Sequence, residues 1–170
     1  MDRAIKIING SILTPYRVIT NGSILIENEK IIEVGEMNNK ASDAIEIDAK
    51  GQYISPGFID IHVHGGGGHD FMDATVEAFL KIAEIHARHG TTSMLPTTLT
   101  AEKEDLFLTL ETYKKAKKEN SNGAAFLGMH LEGPYFNVNQ RGAQDPRYIR
   151  NPDPVEYEDI LSYSSDIRRW

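Results

Sequence analysis

The sequence predicts an α/β fold with parallel strands, preceded by a small β domain. Isoleucine-rich runs broken by turn residues fill the first third of the chain. After Pro56-Gly57, strand-like and helix-like segments alternate. The residues richest in chemistry, His62, His64 and Glu132, fall at the ends of strand candidates, where α/β folds keep their sites.

Each element follows from a local pattern. Ile5, Ile7 and Ile8 precede Asn9-Gly10. Ile24, Leu25 and Ile26 lead into the polar turn Glu27-Asn28-Glu29-Lys30, and Ile31, Ile32 and Val34 follow it. Ile45 and Ile47 alternate with acids. Short β-branched runs separated by turn residues form strands and hairpins. Residues 1–54 are therefore expected to form the β domain, with the boundary at Ser55-Pro56-Gly57 and a second region over 55–170.

In the second region FIDIHVHG (58–65) is strand-like. TVEAFLKIAEIHARHG (75–90) places Val76, Phe79, Leu80, Ala83 and Ala87 on one helical face, with Gly90 as a stop. TSMLPTTL (92–99) is the next strand, and Thr100 is placed to cap a helix over 101–120 that ends before Asn122-Gly123. AAFLGMHLEGPY (124–135) is a third strand. A polar loop runs to about residue 151, and 154–164 predicts another helix.

Composition narrows the class. Hydrophobic residues make up 40% and charged residues 25% of 170 positions, the balance of a globular protein. With no cysteine, disulfides and thiolate metal sites are excluded. No apolar run approaches the roughly 20 residues needed to cross a bilayer, and MDRAIKIING lacks the apolar core of a signal peptide. No membrane association and a cytoplasmic location are expected. A net charge of −7 argues against nucleic acid as a partner. The basic run KKAKK (114–118) follows acids at 102, 104, 105 and 111, an order that suits a helix dipole and a solvated face.

Alternation along a strand puts Asp60, His62 and His64 on one face and Ile59, Ile61 and Val63 on the other, where they would pack under a helix. Neutral imidazoles at i and i+2 can share one cation, each about 2.0–2.1 Å from it. His130 and Glu132 likewise share a face. A carboxylate in a closed mouth is costly unless paired or metal-bound, and a cation held by His62 and His64 would compensate it. Gly65–Gly68 lack the GK[ST] ending of a phosphate loop; their expected role is to let backbone pass close to the ligands. His69 and Asp70 read as loop residues, and His86 and His89 as structural residues at a helix end. His130 points toward the presumed centre without an assigned role.

PGFIDIHVHGGGG, TSMLPTTLT and GMHLEGPYFNVNQRGAQDP, in that order, resemble the N-acetylglucosamine-6-phosphate deacetylase family of the amidohydrolase superfamily. The first motif is shared across the superfamily; HLEGP followed by RGAQ is specific to the sugar-phosphate deacetylases. The match runs from residue 1 to about 150. It implies a partial TIM (β/α) barrel of amidohydrolase type preceded by a small β-sandwich-like domain. By position it implies Glu132 as a metal ligand, His62 and His64 as the superfamily's paired histidines, and Gly142, Ala143 and Gln144 as the substrate-contacting segment. It implies one or two divalent metal ions (zinc, iron or similar), a small-molecule amino-sugar phosphate as substrate, and a homodimer for the full-length protein.

The implied reaction is metal-assisted hydrolysis of the acetamide of N-acetylglucosamine 6-phosphate to glucosamine 6-phosphate and acetate. A full barrel needs about 250 residues, and the region after 55 has room for about three βα units. The family's two further histidine ligands and its catalytic aspartate come from later strands, beyond Trp170. The chain is thus expected to be an N-terminal portion, inactive by itself. Asp145, Asp153, Asp159 and Asp166 are candidates by residue type only and none is assigned. Two other readings compete: an amidohydrolase acting on cyclic amides, which the HLEGP glutamate argues against, and a non-catalytic remnant or binding protein.

Overall fold

A computed structural model of the chain describes residues 4–36 and 43–170. The chain divides into two units, Met1–Pro56 and Gly57–Trp170.

The first unit is built on β1 (Ile5–Leu13), β2 (Val18–Glu27), β3 (Lys30–Gly35), β4 (Ile45–Asp48) and β5 (Tyr53–Ile54). They form one sheet in the order β3-β2-β1-β4, with β5 also paired to β1. The β2–β3 hairpin turns at Asn28 and Glu29, with φ of 48° and 62°. A two-residue hairpin loop needs positive φ at both central positions because that twist matches the flanking strands. Ile5 lies opposite both Ile26 and Ile45, and Ile7 opposite both Ile24 and Ile47. Ile31 and Val34 extend the same rows on β3. One sheet face is therefore aliphatic across four strands. The region expected to be sandwich-like is, among the described residues, this single sheet.

The second unit repeats strand and helix. It runs β6 (Phe58–Val63), the short hairpin β7 (Gly65–Gly66) and β8 (His69–Asp70), α1 (Val76–Arg88), β9 (Thr91–Pro96) and α2 (Lys103–Glu119). It continues through β10 (Ala125–Phe126), β11 (Met129–His130), α3 (Pro154–Tyr163) and β12 (Ile167–Arg169). β6, β9 and β10 are parallel neighbours, β11 pairs in parallel with β12, and a bridge between Thr97 and His130 joins the end of β9 to β11. The order is that of successive strands in a (β/α) barrel, left unclosed. The expectation of about three units is thereby extended by β12, whose sequence IRR carries no strand pattern of its own.

Helix α1 starts where Thr75 accepts a hydrogen bond from the Ala78 N–H. Its buried residues are Ala78, Phe79, Ile82 and Ala83, with Val76 and Ala87 packed against the core; the expected face holds for Val76, Phe79, Ala83 and Ala87, and Ala78 and Ile82 join it. It packs on β9 and the β7–β8 hairpin, which is why the expected cover over β6 is missing: Val63 is buried, but Ile59 and Ile61 are 62% and 51% exposed. Helix α2 does not use Thr100 as its cap. It begins two residues past Ala101, behind Glu102, with no side-chain cap. Its acids Glu104 and Asp105 lie in the first turn and Lys117 and Lys118 in the last, as the dipole favours. Among the described residues, no helix is long and apolar enough to cross a membrane.

The core lies between strands and helices. Phe79 is its centre, with ring centroids 4.7 Å from Phe71, 5.9 Å from Phe126 and 6.3 Å from Tyr113. Met94, Leu110, Met129, Leu131 and Ile160 fill the remainder. Phe107 of α2 stacks on Tyr163 of α3 at 3.9 Å. Met94, Met129 and Leu131 are strand or strand-end residues, so this packing sets the strand ends that carry the site.

Candidate metal centre

Three strand ends are bonded side by side. The Thr97 N–H donates to the Val63 carbonyl at 2.9 Å, and the Val63 N–H donates to Thr97 Oγ1 at 3.0 Å. The Thr98 N–H donates to the His130 carbonyl at 3.0 Å, and the Glu132 N–H to Thr98 Oγ1 at 3.3 Å. Asp60 accepts the His62 N–H at 3.0 Å, so that carboxylate braces the strand.

These bonds bring His62, His64 and Glu132 together. His64 Nε2 is 2.9 Å and His62 Nε2 is 3.2 Å from Glu132 Oε2, and the two Nε2 atoms are 3.0 Å apart. Atoms about 2.0–2.1 Å from a common ion lie roughly 2.9 Å apart at right angles and roughly 3.4 Å apart at tetrahedral angles. The three separations fall in that range. The donor set, two imidazole nitrogens and a carboxylate oxygen, suits zinc, iron and related ions. His64 Nδ1 is buried without a partner among the described residues, and Nε2 is the ring atom that meets Glu132 and His62. The residues fit a cation.

His130 stands beside the trio but outside it. Its ring centroid is 4.9 Å from that of His62 at 79°. Its Nδ1 lies 3.3 Å from Thr97 Oγ1. Burial, then the charge of Arg169 and the neighbouring His62, pushes its pKa down, so it is neutral near pH 7.

His62 and Glu132 border a cleft of about 500 Å³ whose wall also includes His130, Tyr135, Phe136 and Trp170. Tyr135 stacks on Trp170 at 5.5 Å. Trp170 Nε1 donates to the Gly133 carbonyl at 2.8 Å, and the Tyr135 hydroxyl donates to Glu156 at 2.9 Å. Burial and the Glu156 carboxylate push the Tyr135 pKa up to about 12. Sequence reasoning missed Thr97, Tyr135 and Trp170. The bridging hydroxyl and aromatic wall leave no periodic signal.

Gly142, Ala143 and Gln144 do not line this cleft. Gly142 takes a left-handed turn (φ 61°) and Ala143 is exposed. Gln144 is buried, and its Oε1 accepts the Thr100 N–H at 2.7 Å. Thr100 in turn packs against Gly133, where a Cβ would meet Thr100 Oγ1 at 2.3 Å. The segment is thus tied behind the cleft wall. The four aspartates considered by type have other partners: Asp145 pairs with Arg147, Asp153 caps α3, Asp159 meets Lys103 and Asp166 meets Lys117. Gly65 and Gly66 form the β7–β8 hairpin, where a Cβ on Gly65 would stand 2.2 Å from the His69 carbonyl oxygen. Asp70 caps the following turn, His86 Nε2 holds the Gly65 carbonyl at 3.1 Å, and His89 Nδ1 holds the Ile85 carbonyl at 2.8 Å.

The sequence profile of the Amidohydrolase family matches residues 53–168. The chain belongs to the amidohydrolase family. Among curated relatives, this amidohydrolase is 33% identical over 162 residues to N-acetylglucosamine-6-phosphate deacetylase of Haemophilus influenzae, covering 95% of this chain and 42% of that protein. It is 37% identical over 160 residues to the enzyme of the same name from Bacillus subtilis, covering 92% and 40%. Its structure superposes on N-acetylglucosamine-6-phosphate deacetylase from Pasteurella multocida with a TM-score of 0.87 at 27% identity, over 96% of this chain and 43% of that one. The Mycobacterium smegmatis deacetylase, solved with N-acetyl-D-glucosamine-6-phosphate, gives 0.85 at 27% identity, over 98% and 42%. The chain spans about two-fifths of the length of the curated relatives it matches.

Proposed function

We propose that the whole protein hydrolyses the N-acetyl group of N-acetylglucosamine 6-phosphate, giving glucosamine 6-phosphate and acetate. The carrying observation is the convergence of His62, His64 and Glu132 within 3.2 Å, in a chain more than 30% identical to enzymes named for that reaction. His62 and His64 supply imidazole nitrogen and Glu132 supplies carboxylate oxygen to one divalent cation, zinc, iron or similar. Such an ion, when bound, supplies Lewis acidity, lowering the pKa of water from 15.7 toward about 7 and polarising a carbonyl.

The chain's own residues do the rest of what can be derived. The backbone and hydroxyl bonds of Thr97 and Thr98 hold the donors side by side. Tyr135, Phe136 and Trp170 form part of the cleft wall. Gly142, Ala143 and Gln144 are proposed to meet the sugar phosphate. Their support is the family resemblance, and Gln144 Nε2 has no protein partner among the described residues, which leaves it a free donor. A homodimer and a cytoplasmic location belong to the same reading.

Acetate release by the whole protein tests the proposal. Glu132→Gln should lower turnover more than 100-fold, and undiminished activity in that variant would refute the role given to Glu132. A second substrate is favoured by one specific observation. The chain is 36% identical over 118 residues to N-acetylgalactosamine-6-phosphate deacetylase of Escherichia coli O157:H7. Parallel assays of the gluco and galacto substrates decide between them, and turnover of dihydropyrimidines instead would transfer the protein to the cyclic-amide hydrolases.

A further inference from the structure

We propose that His130 is a positioning residue for His62: its ring, anchored by Thr97, holds the His62 imidazole so that Nε2 faces Glu132. The zinc arm of the test below rests on the metal-centre reading; the orientation of His62 does not.

A ligating imidazole is ordinarily oriented by a hydrogen bond from its second ring nitrogen. His62 has none: both of its close contacts, to His64 and Glu132, are through Nε2, and Nδ1 has no partner among the described residues. Its side chain is also 43% exposed, so burial does not immobilise it. Besides those Nε2 contacts, the ring meets two other imidazoles, both edge-on: His64 at 5.0 Å and 74°, and His130 at 4.9 Å and 79°. Edge-to-face packing at these distances is the favoured geometry for flat rings. His64 belongs to the cluster itself, so the support from outside is His130.

His130 can act as a fixed wall because its own ring is fixed. It is 5% exposed, and Thr97 is fully buried. Thr97 Oγ1 donates its single proton to the Leu95 carbonyl at 3.1 Å and accepts the Val63 N–H at 3.0 Å. His130 Nδ1 lies 3.3 Å from the same oxygen. The hydroxyl that ties β6 to β9 thus also anchors the His130 ring. His130 ends β11 and Glu132 follows two residues later, so one strand and the residues just past it supply both a cluster donor and the wall behind another.

Two readouts test this on the 170-residue chain. In the metal-free protein, three-bond couplings to His62 Cγ report its χ1. A single rotamer is expected in wild type and in His130→Phe, which keeps a flat ring, and an averaged coupling in His130→Asn, which retains an N–H for Thr97 but removes the ring. In zinc titrations, His130→Phe should bind within about 2-fold of wild type and His130→Asn about 10-fold more weakly. His130→Leu, of similar volume but not flat, replaces His130→Asn if circular dichroism shows that variant unfolded. Either readout unchanged in the ringless variant overturns the proposal. So does His130→Phe losing as much as His130→Asn, because a ring nitrogen rather than ring packing would then be the agent. If wild type takes up no zinc, the metal-centre reading falls and the couplings alone decide the role of His130.

Discussion

His64 Nε2 lies 2.9 Å from Glu132 Oε2, although the two residues come from β-strand ends separated by two complete helical crossovers. The distance follows from backbone bonds, Thr97 to Val63 and Thr98 to His130, that hold the strand ends in register. The donor set is therefore preorganised, and its members should be separable by mutation.

Glu132→Gln keeps shape but replaces the anionic oxygen proposed as a ligand with a neutral amide. His64→Asn removes an imidazole. Each should weaken zinc binding to the 170-residue chain by at least about 10-fold, the penalty for even an outer partner of a metal site. Calorimetric titration measures it. Equal affinity in wild type and both variants would mean that zinc binds elsewhere.

The core separates a costly truncation from a harmless one. Phe79 is fully buried among Phe71, Tyr113 and Phe126. Phe79→Ala should lose about 3–5 kcal/mol through lost transfer energy and a cavity. The Tyr113 hydroxyl, in contrast, is buried with no hydrogen-bond partner among the described residues, and burial pushes its pKa far above the ordinary 10.0. Tyr113→Phe removes an unsatisfied group and should leave stability unchanged or higher by about 1 kcal/mol. Urea midpoints distinguish the two, and a large loss in Tyr113→Phe would show that the hydroxyl has a partner.

Arg150 and Glu156 give the second unit an acid-sensitive clasp. The guanidinium donates to the Glu156 carboxylate through Nε and Nη2, and also holds the Tyr148 carbonyl at 2.8 Å. The Arg150 hydrogen bonds, ahead of the opposing effect of burial, hold the Glu156 pKa below the usual 4.5. Because the folded value is depressed, the stability this pair contributes is complete above about the unfolded carboxylate value and is lost as pH falls through the lowered one. Arg150→Ala should cost about 1.5–3 kcal/mol at pH 7, the worth of hydrogen bonds to a charged group. That difference should shrink toward pH 3. A pH-independent difference in urea midpoint would contradict the assignment.

Gln144 connects the loop after Gly133 to the end of β9 by accepting the Thr100 N–H. Gln144→Ala leaves a buried N–H unsatisfied, at a cost of about 1–3 kcal/mol. Limited proteolysis should then cut the segment 136–147 faster than in wild type. Unchanged cleavage would show that the loop is held by other contacts.

Much of this was legible in local pattern. The backbone period of two puts His62 and His64 on one strand face, and the 3.6-residue period marks α1. Asn28 announces a hairpin turn because a short amide side chain tolerates positive φ, whereas nothing in Glu29 itself foretells its left-handed φ of 62°. Those properties depend on neighbours in the chain, so the sequence by itself determined them, together with the donor types that make a metal centre chemically sensible. Other features depend on which elements come to lie side by side, and only the tertiary structure decided them. The approach of Glu132 to the imidazoles, the triple role of Thr97 Oγ1 and the wall formed by His130 all require lateral strand order. So do β12, the inward turn of Gln144 and the exposure of Ile59 and Ile61 where a helix was expected. Strand order and register are set by long-range packing of the core around Phe79 and by bonds between distant backbones, and no short window of sequence contains that information.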